Sequence, residues 1–403
     1  MKYVVVLGDG MADYKIPSLG NKTILQASNK PTIDSLAKKG EVGLCKTVPD
    51  GMKPGSDVAN MSVLGFDPAE FYTGRSPLEA VSIGIKLKDT DVTLRCNLVT
   101  LSDEENYEDK TMKDYSAGEI STAEARELIE YLKKYIDDEE LTLYPGVSYR
   151  HCLVVDKGIT GTTLTPPHDI SDKPIKDYLP TGIKGEKYLA LMKKSYELLK
   201  DHPINKKRVT EGRNPANSIW LWGEGTKPAL ADFEEKFGLK GGVISAVDLV
   251  KGIGILANMK IIDVPGITGN WDTDFKGKAE AAAKALLNGL DFVYIHMEAP
   301  DECGHHGDIK HKIYSVEQIS EVVVKTLLER FKESGEEFTM LICPDHPTPI
   351  AVKTHVSDPV PYLIYRSNEE KSCGATAYDE DQAKATGIYI PEGCNLMLRL
   401  LKK

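Results

Sequence analysis

The residues best equipped for chemistry in this chain stand where short apolar runs end. Asp9 follows Tyr3-Val4-Val5-Val6-Leu7, with Gly8 and Gly10 on either side of it. A second run, Asp291 to Met297, leads within a few residues to Asp301-Glu302-Cys303-Gly304-His305-His306. A third, Phe338 to Cys343, leads to Pro344-Asp345-His346, and His355 follows in Lys353-Thr354-His355. Carboxylate oxygen and neutral imidazole nitrogen are usual donors for zinc, manganese and similar ions. A lone aspartate past a strand is more often a turn former or a helix cap. Three run ends carrying ligand-type side chains together point instead to a metal site. Asp301 and His305 are four apart and share a face if a helical turn begins there.

A serine is placed for related chemistry. The stretch Gly51-Met52-Lys53-Pro54-Gly55-Ser56-Asp57 precedes a helical pattern over Asp57 to Leu64, which puts Ser56 at the helix start. Serine is a favoured N-cap, and that plain reading stays open. The same position suits phosphate chemistry. Backbone N–H groups and the helix dipole attract phosphate, and a metal lowers the hydroxyl's pKa so that it can attack.

The elements that must position these groups alternate between strand and helix. Near-continuous apolarity at 3–7, 291–297, 338–343 and 361–365 predicts parallel strands covered on both faces. Helices are expected from Pro31 to a stop at Gly40, over Lys276 to Leu287, and over Lys312 to Lys332. This order implies an α/β sandwich with a parallel sheet, whose ligands gather beyond the carboxyl ends of the strands. Between about 88 and 214 the pattern changes to more charge, more turn signals and short β-like runs, with a capping box at Ser121 and Glu124. The expected organisation is a larger domain from 1–87 and 215–403, interrupted by a smaller α+β domain over 88–214.

Composition narrows the partners. At 403 residues the chain exceeds what one core usually accommodates, which agrees with two domains. A net charge of -11 without a basic stripe argues against general affinity for DNA, RNA or an anionic membrane. A few convergent arginines and metal ions would still let an acidic protein bind a small anionic substrate. The cysteines (Cys45, Cys96, Cys152, Cys303, Cys343, Cys373, Cys394) form no C-x-x-C pair, so neither a disulfide framework nor a zinc ribbon is expected, and a reducing cytosol fits. No apolar run reaches the ~18 residues of a membrane span, and the N-terminal run is too short for a signal peptide. The G-x-x-x-x-G-K-[ST] loop of common nucleotide-dependent kinases is missing. Nothing in the sequence sets the oligomeric state.

Taken in order, these segments resemble the alkaline phosphatase superfamily, and within it the cofactor-independent phosphoglycerate mutases of the archaeal type. The likeness is carried by Asp9 in G-D-G, G-S-D-V-A-N around Ser56, D-E-C-G-H at 301–305, P-D-H at 344–346, and His355. Tyr72 to Ala80, Arg95-Cys96-Asn97, Tyr149-Arg150-His151, Pro167-His168-Asp169 and Asn217 to Gly223 agree, so it runs through essentially the whole chain. The resemblance implies an alkaline-phosphatase-like fold with two divalent ions. One would be held by Asp9, Ser56, Asp345 and His346, and the other by Asp301, His305 and His355. Manganese is the expected ion, with zinc, cobalt and magnesium as alternatives. His306 and His311 match no ligand position.

The implied reaction interconverts 3-phosphoglycerate and 2-phosphoglycerate in the cytoplasm without a bisphosphoglycerate cofactor, through phosphorylated Ser56. Arg75, Arg95 and Arg150 would bind the substrate's carboxylate and phosphate as bidentate forks. Lys251 lies in a further matching segment and is expected to serve the catalysis, and His151 would carry a proton between hydroxyls. Each of these could equally be a surface ion pair. The wording Gly74-Arg75-Ser76-Pro77 and Arg95-Cys96-Asn97 is closer to a bacterial branch proposed to include homoserine kinases. A phosphotransferase of that kind is therefore the alternative reading.

Overall fold

Val4, Val5, Val6 and Leu7 are wholly buried, as a strand covered on both faces requires. They belong to Lys2–Gly8, an inner strand of an eight-stranded sheet in a computed structural model that describes residues 1–402. The strand order is Lys260–Ile261, Gly241–Ile244, Phe292–Met297, Lys2–Gly8, Phe338–Cys343, Val360–Arg366, Glu41–Cys45, Tyr389–Ile390. The first five are mutually parallel. In their register Gly8 lies opposite Met297, and Leu7 opposite Cys343, so three strands end at one level. That alignment brings Asp9, Asp301 and Asp345 to one edge of the sheet.

The run at 361–365 forms a strand as expected, but not a parallel one. Val360–Arg366 runs antiparallel to both of its neighbours. Residues 344–359 carry no crossover helix, so the chain turns back beside the strand it has just left. Apolarity reports burial on two faces and is blind to direction.

The alanine-rich helix Phe275–Leu287 turns Ala279, Ala282, Ala283 and Leu286 onto the sheet core with Val4, Val6, Val293 and Ile295. Each such buried valine, isoleucine or leucine contributes roughly 1.5–3 kcal/mol. The helix expected over Lys312 to Lys332 is longer and interrupted: Ile309–Gln318 and Lys325–Ser334 flank a π turn at Ile319–Val324.

Residues Met1–Tyr72 and Leu230–Lys403 make one compact unit, and Thr73–Ala229 another. The boundaries expected at 87/88 and 214/215 fall inside the second unit. Strand pairing explains why. Ser218–Thr226 pairs with Val92–Leu101, and the Ser76 hydroxyl, at the start of helix Ser76–Ser82, donates to the Thr93 carbonyl at 2.9 Å. Both segments therefore belong with the sheet of Val92–Leu101. This sheet is antiparallel throughout, and its apolar face packs with helices Thr122–Ile136 and Gly185–Leu199.

Candidate active site

Ser56 opens the helix Ser56–Val63, with extended Gly55 before it. Its hydroxyl lies 3.1 Å from His346 Nε2. Asn60, one turn on, ties this helix to the strand ends. Its Nδ2 donates to the Ser56 carbonyl and to Asp345 Oδ2, both at 2.8 Å, while its Oδ1 accepts from the Tyr294 hydroxyl at 2.6 Å. Asp345 Oδ1 accepts from the backbone N–H of Gly10 at 3.2 Å and of His346 at 2.8 Å.

The other donors meet at the helix Ala299–His306, whose first turn carries Asp301. One turn later His305 Nε2 stands 3.2 Å from Asp301 Oδ2, and His355 Nε2 stands 3.4 Å from Asp301 Oδ1. The two imidazole Nε2 atoms are 2.9 Å apart. His305 Nδ1 lies 3.0 Å from the Lys353 carbonyl, which fixes its proton there and turns Nε2 toward the cluster. Gly10 makes this approach possible. At φ +60° it has no side chain to clash, whereas a Cβ there would come within 2.6 Å of Asp301 Oδ1.

Two groups of donor atoms result, each within the span of one ion: Asp9, Asp345 and His346, and Asp301, His346 and His355. His346 belongs to both. His305 adjoins the second group through Asp301 and His355. Asp9 shows how well the first group suits a cation. The buried His296 holds Nε2 2.9 Å from Asp9 Oδ2. Its Nδ1 faces the Ser245 hydroxyl at 3.3 Å. Asp9 Oδ1 is buried with no hydrogen-bond partner, 3.7 Å from His346 Nε2. A divalent ion would satisfy that oxygen.

The electrostatics agree. Burial, then the Asp345 and Asp301 charges, push the Asp9 carboxyl well above its usual range. Burial would raise Asp301 too, but hydrogen bonds with His305 and His355 outweigh it and hold this carboxyl well below its ordinary value. The Asp301 hydrogen bond lifts His305 to about 9, and burial lowers His296 to about 4. Negative charge crowded into a buried centre favours a cation.

In the second unit, strand alternation sorts the remaining candidates. Arg95 lies opposite Cys152 and Asn97 opposite Arg150, so Arg95, Asn97 and Arg150 share one sheet face. Glu79 pairs with Arg75 and Arg95 at 2.8 Å each, and the Arg95 guanidinium lies 3.9 Å over the Trp222 ring. Burial opposes ionisation of Glu79, but the two guanidinium charges prevail and hold its carboxyl below the usual range. His151 lies opposite Cys96, on the face that packs into the core. Its Nδ1 accepts from the Gly146 N–H at 3.0 Å, and burial lowers it to about 3. The expected proton carrier is thus a buried neutral side chain on the face away from the arginines. Lys251 stands in helix Asp248–Leu256, which packs on the Ser56 helix, and its ammonium is 3.7 Å from Asp248.

His296, Asn60 and Thr348 bear directly on the donors, and sequence reasoning passes over all three. His296 lies within an apolar run, and Asn60 and Thr348 follow Ser56 and His346 with nothing in their types to mark them. The described residues include no helix long and apolar enough to cross a membrane.

Strand-end carboxylates and imidazoles around a helix-start serine define the class: an α/β protein with a centre suited to divalent cations. Similarity narrows it. A family model described as 2,3-bisphosphoglycerate-independent phosphoglycerate mutase matches residues 37–205. A protein of that name from Methanosarcina barkeri is 50% identical over 403 residues, covering 100% of both chains. Another, from Methanosarcina mazei, is 49% identical with the same coverage. A solved protein of Pyrococcus horikoshii matches with a TM-score of 0.82 at 28% identity, over 100% of this chain and 97% of that one. The cofactor-independent phosphoglycerate mutase of Thermoplasma acidophilum gives 0.67 at 26% identity, over 100% and 99%. The chain belongs to the 2,3-bisphosphoglycerate-independent phosphoglycerate mutase family.

Proposed function

We propose that this protein is a cytoplasmic, metal-dependent isomerase that interconverts 3-phosphoglycerate and 2-phosphoglycerate, with Ser56 as the phosphoryl carrier. The observation that carries the reading is the Ser56 hydroxyl 3.1 Å from His346 Nε2, beside the two donor groups that share that histidine. Asp9, Ser56, Asp345 and His346 would hold one divalent ion, and Asp301, His305 and His355 the other, manganese being our choice for both. When bound, such ions neutralise phosphoryl oxygens and lower the pKa of a nearby hydroxyl.

The rest falls to side chains. Ser56 Oγ attacks phosphorus in line, the bond from phosphorus to the glycerate O3 breaks, and the serine's proton ends on O3. The glycerate then reorients, its O2 attacks the phosphoserine, and the O2 proton returns to Ser56. The helix start orients Ser56, and Asn60 holds its carbonyl. Arg75, Arg95 and Arg150 supply cationic forks for the carboxylate and phosphate of the substrate. Lys251, on the helix packed against that of Ser56, adds a cation on the nucleophile's side.

Purified enzyme with Mn2+ and 3-phosphoglycerate, without bisphosphoglycerate, should yield 2-phosphoglycerate by 31P NMR. Chelation should abolish the activity, and Ser56→Ala should lower it on the order of 10³-fold or more. Absence of interconversion by metal-loaded wild type, with phosphohomoserine formed from homoserine and a phosphate donor, would replace this reading with the kinase.

A further inference from the structure

Thr348 lies two residues past His346 and is wholly buried. Its hydroxyl touches one ligand-type side chain from each side of the centre. Asp301 Oδ1 can only accept, so the single hydroxyl proton goes to it. The oxygen's lone pair then faces His346 Nδ1 at 3.3 Å and accepts its N–H. A neutral imidazole carries one N–H, so this contact leaves the His346 Nε2 lone pair pointing toward Ser56 Oγ at 3.1 Å and Asp9 Oδ1 at 3.7 Å.

The threonine is held in place from several directions. The buried Lys312 ammonium donates to the Thr348 carbonyl at 2.7 Å and to Asp13 Oδ2 at 2.8 Å. Asp13 in turn accepts from the Ile350 N–H at 3.2 Å, which pins the segment on the other side. Two glycines leave the space it fills. A Cβ on Gly10 would come 2.5 Å from Thr348 Oγ1, and one on Gly304 would come 2.5 Å from the Thr348 carbonyl.

We propose that Thr348 is the positioning residue that couples the two donor groups, one hydroxyl orienting Asp301 for one ion and His346 for the other. The proposal rests on the reading of Asp301 and His346 as metal ligands. A purely structural threonine would contribute packing and a satisfied hydroxyl, and its loss would lower stability without a signature in metal binding. A coupling threonine has a sharper consequence. Valine keeps the shape but removes the hydroxyl donor from Asp301 Oδ1 and the acceptor from His346 Nδ1, so both ions are affected at once. Serine keeps the hydroxyl and should restore both.

The test is calorimetric titration of the metal-stripped, full-length protein with Mn2+, in the absence of substrate. Thr348→Val should weaken both binding steps by about 10–100-fold, and Thr348→Ser should stay within about threefold of wild type. Asp301→Ala, by contrast, should lose one step only. Thermal melts of the metal-free proteins establish that the variants are folded. Should Thr348→Val not fold, Thr348→Ala is titrated in its place under the same criterion. Wild-type affinity in the hydroxyl-less variant overturns the proposal, as does weakening of a single step or failure of serine to restore binding. The titration contains no phosphoglycerate, so its outcome is independent of the mutase assay. A wild type that binds fewer than two ions would remove the ligand reading itself.

Discussion

At the scale of the residue, Asn60 shows how much of this centre depends on side chains that would not themselves touch a phosphate. Its amide holds the Ser56 carbonyl and Asp345 Oδ2 at equal distances of 2.8 Å, and the Tyr294 hydroxyl fixes which way the amide faces. Asn60→Leu keeps the branched shape but leaves Asp345 without that donor and loosens the first turn of the Ser56 helix. We expect kcat to fall about 10–100-fold, with KM changed far less. Steady-state kinetics with 3-phosphoglycerate check this, and an unchanged kcat would reduce Asn60 to a packing residue. Asp9, Asp301, Asp345 and His346 are legible in the sequence because each follows an apolar run and has a side chain suited to metals. Asn60, His296 and Thr348 are not. Their importance comes from which atom faces which neighbour across 285, 287 and 47 positions of sequence, and residue type is silent on that.

At the scale of the element, the strands are legible and their directions are not. Apolar runs mark Lys2–Gly8, Phe292–Met297, Phe338–Cys343 and Val360–Arg366, yet the last reverses because the 344–359 connection lacks a helix. Alternation along Arg150–Val155 likewise separates Arg150 from the adjacent His151, a distinction that appears only once the register with Val92–Leu101 is known. The short helix Glu380–Ala385 offers a test of burial at this scale. Glu380 accepts from the Asp13 N–H at 3.1 Å and the Thr23 hydroxyl at 2.6 Å, but burial dominates and raises it to about 7. An acid raised in this way favours the folded state below its unfolded pKa of about 4.5, and the benefit is lost as pH rises toward 7. Above that the folded protein holds a buried carboxylate. Glu380→Gln keeps an acceptor for Asp13 and removes the charge. It should raise the melting temperature on the order of 1–3 °C at pH 8 and give no gain at pH 4. A benefit equal at both pH values would show that ionisation is not the cause.

At the scale of the molecule, each unit has an apolar core drawn from its own residues. The core with Val4, Val293 and Met340 takes nothing from 73–229, and the core with Leu94, Leu128 and Trp220 takes nothing from outside it. The sequence announces this division through its change of texture near 88 and 214. It misses the true edges because Ser76–Ser82 and Ser218–Thr226 look like continuations of the flanking chain until the strand pairing is seen. The two crossings are adjacent in space, since the Thr73 hydroxyl donates to the Thr226 carbonyl at 2.5 Å. Cutting there severs no strand, and every residue of the smaller core lies within 73–229. Residues 73–229 expressed alone, in the size range of ordinary domains, should therefore fold. Trp220 and Trp222 are both buried in that unit, and the Trp222 N–H donates to Asn97 Oδ1 at 2.9 Å. The fragment should thus show a structured near-UV circular dichroism signal that is lost in one cooperative thermal transition. Helical content without that signal, or a gradual melt, would mean that the smaller core needs the rest of the chain to close.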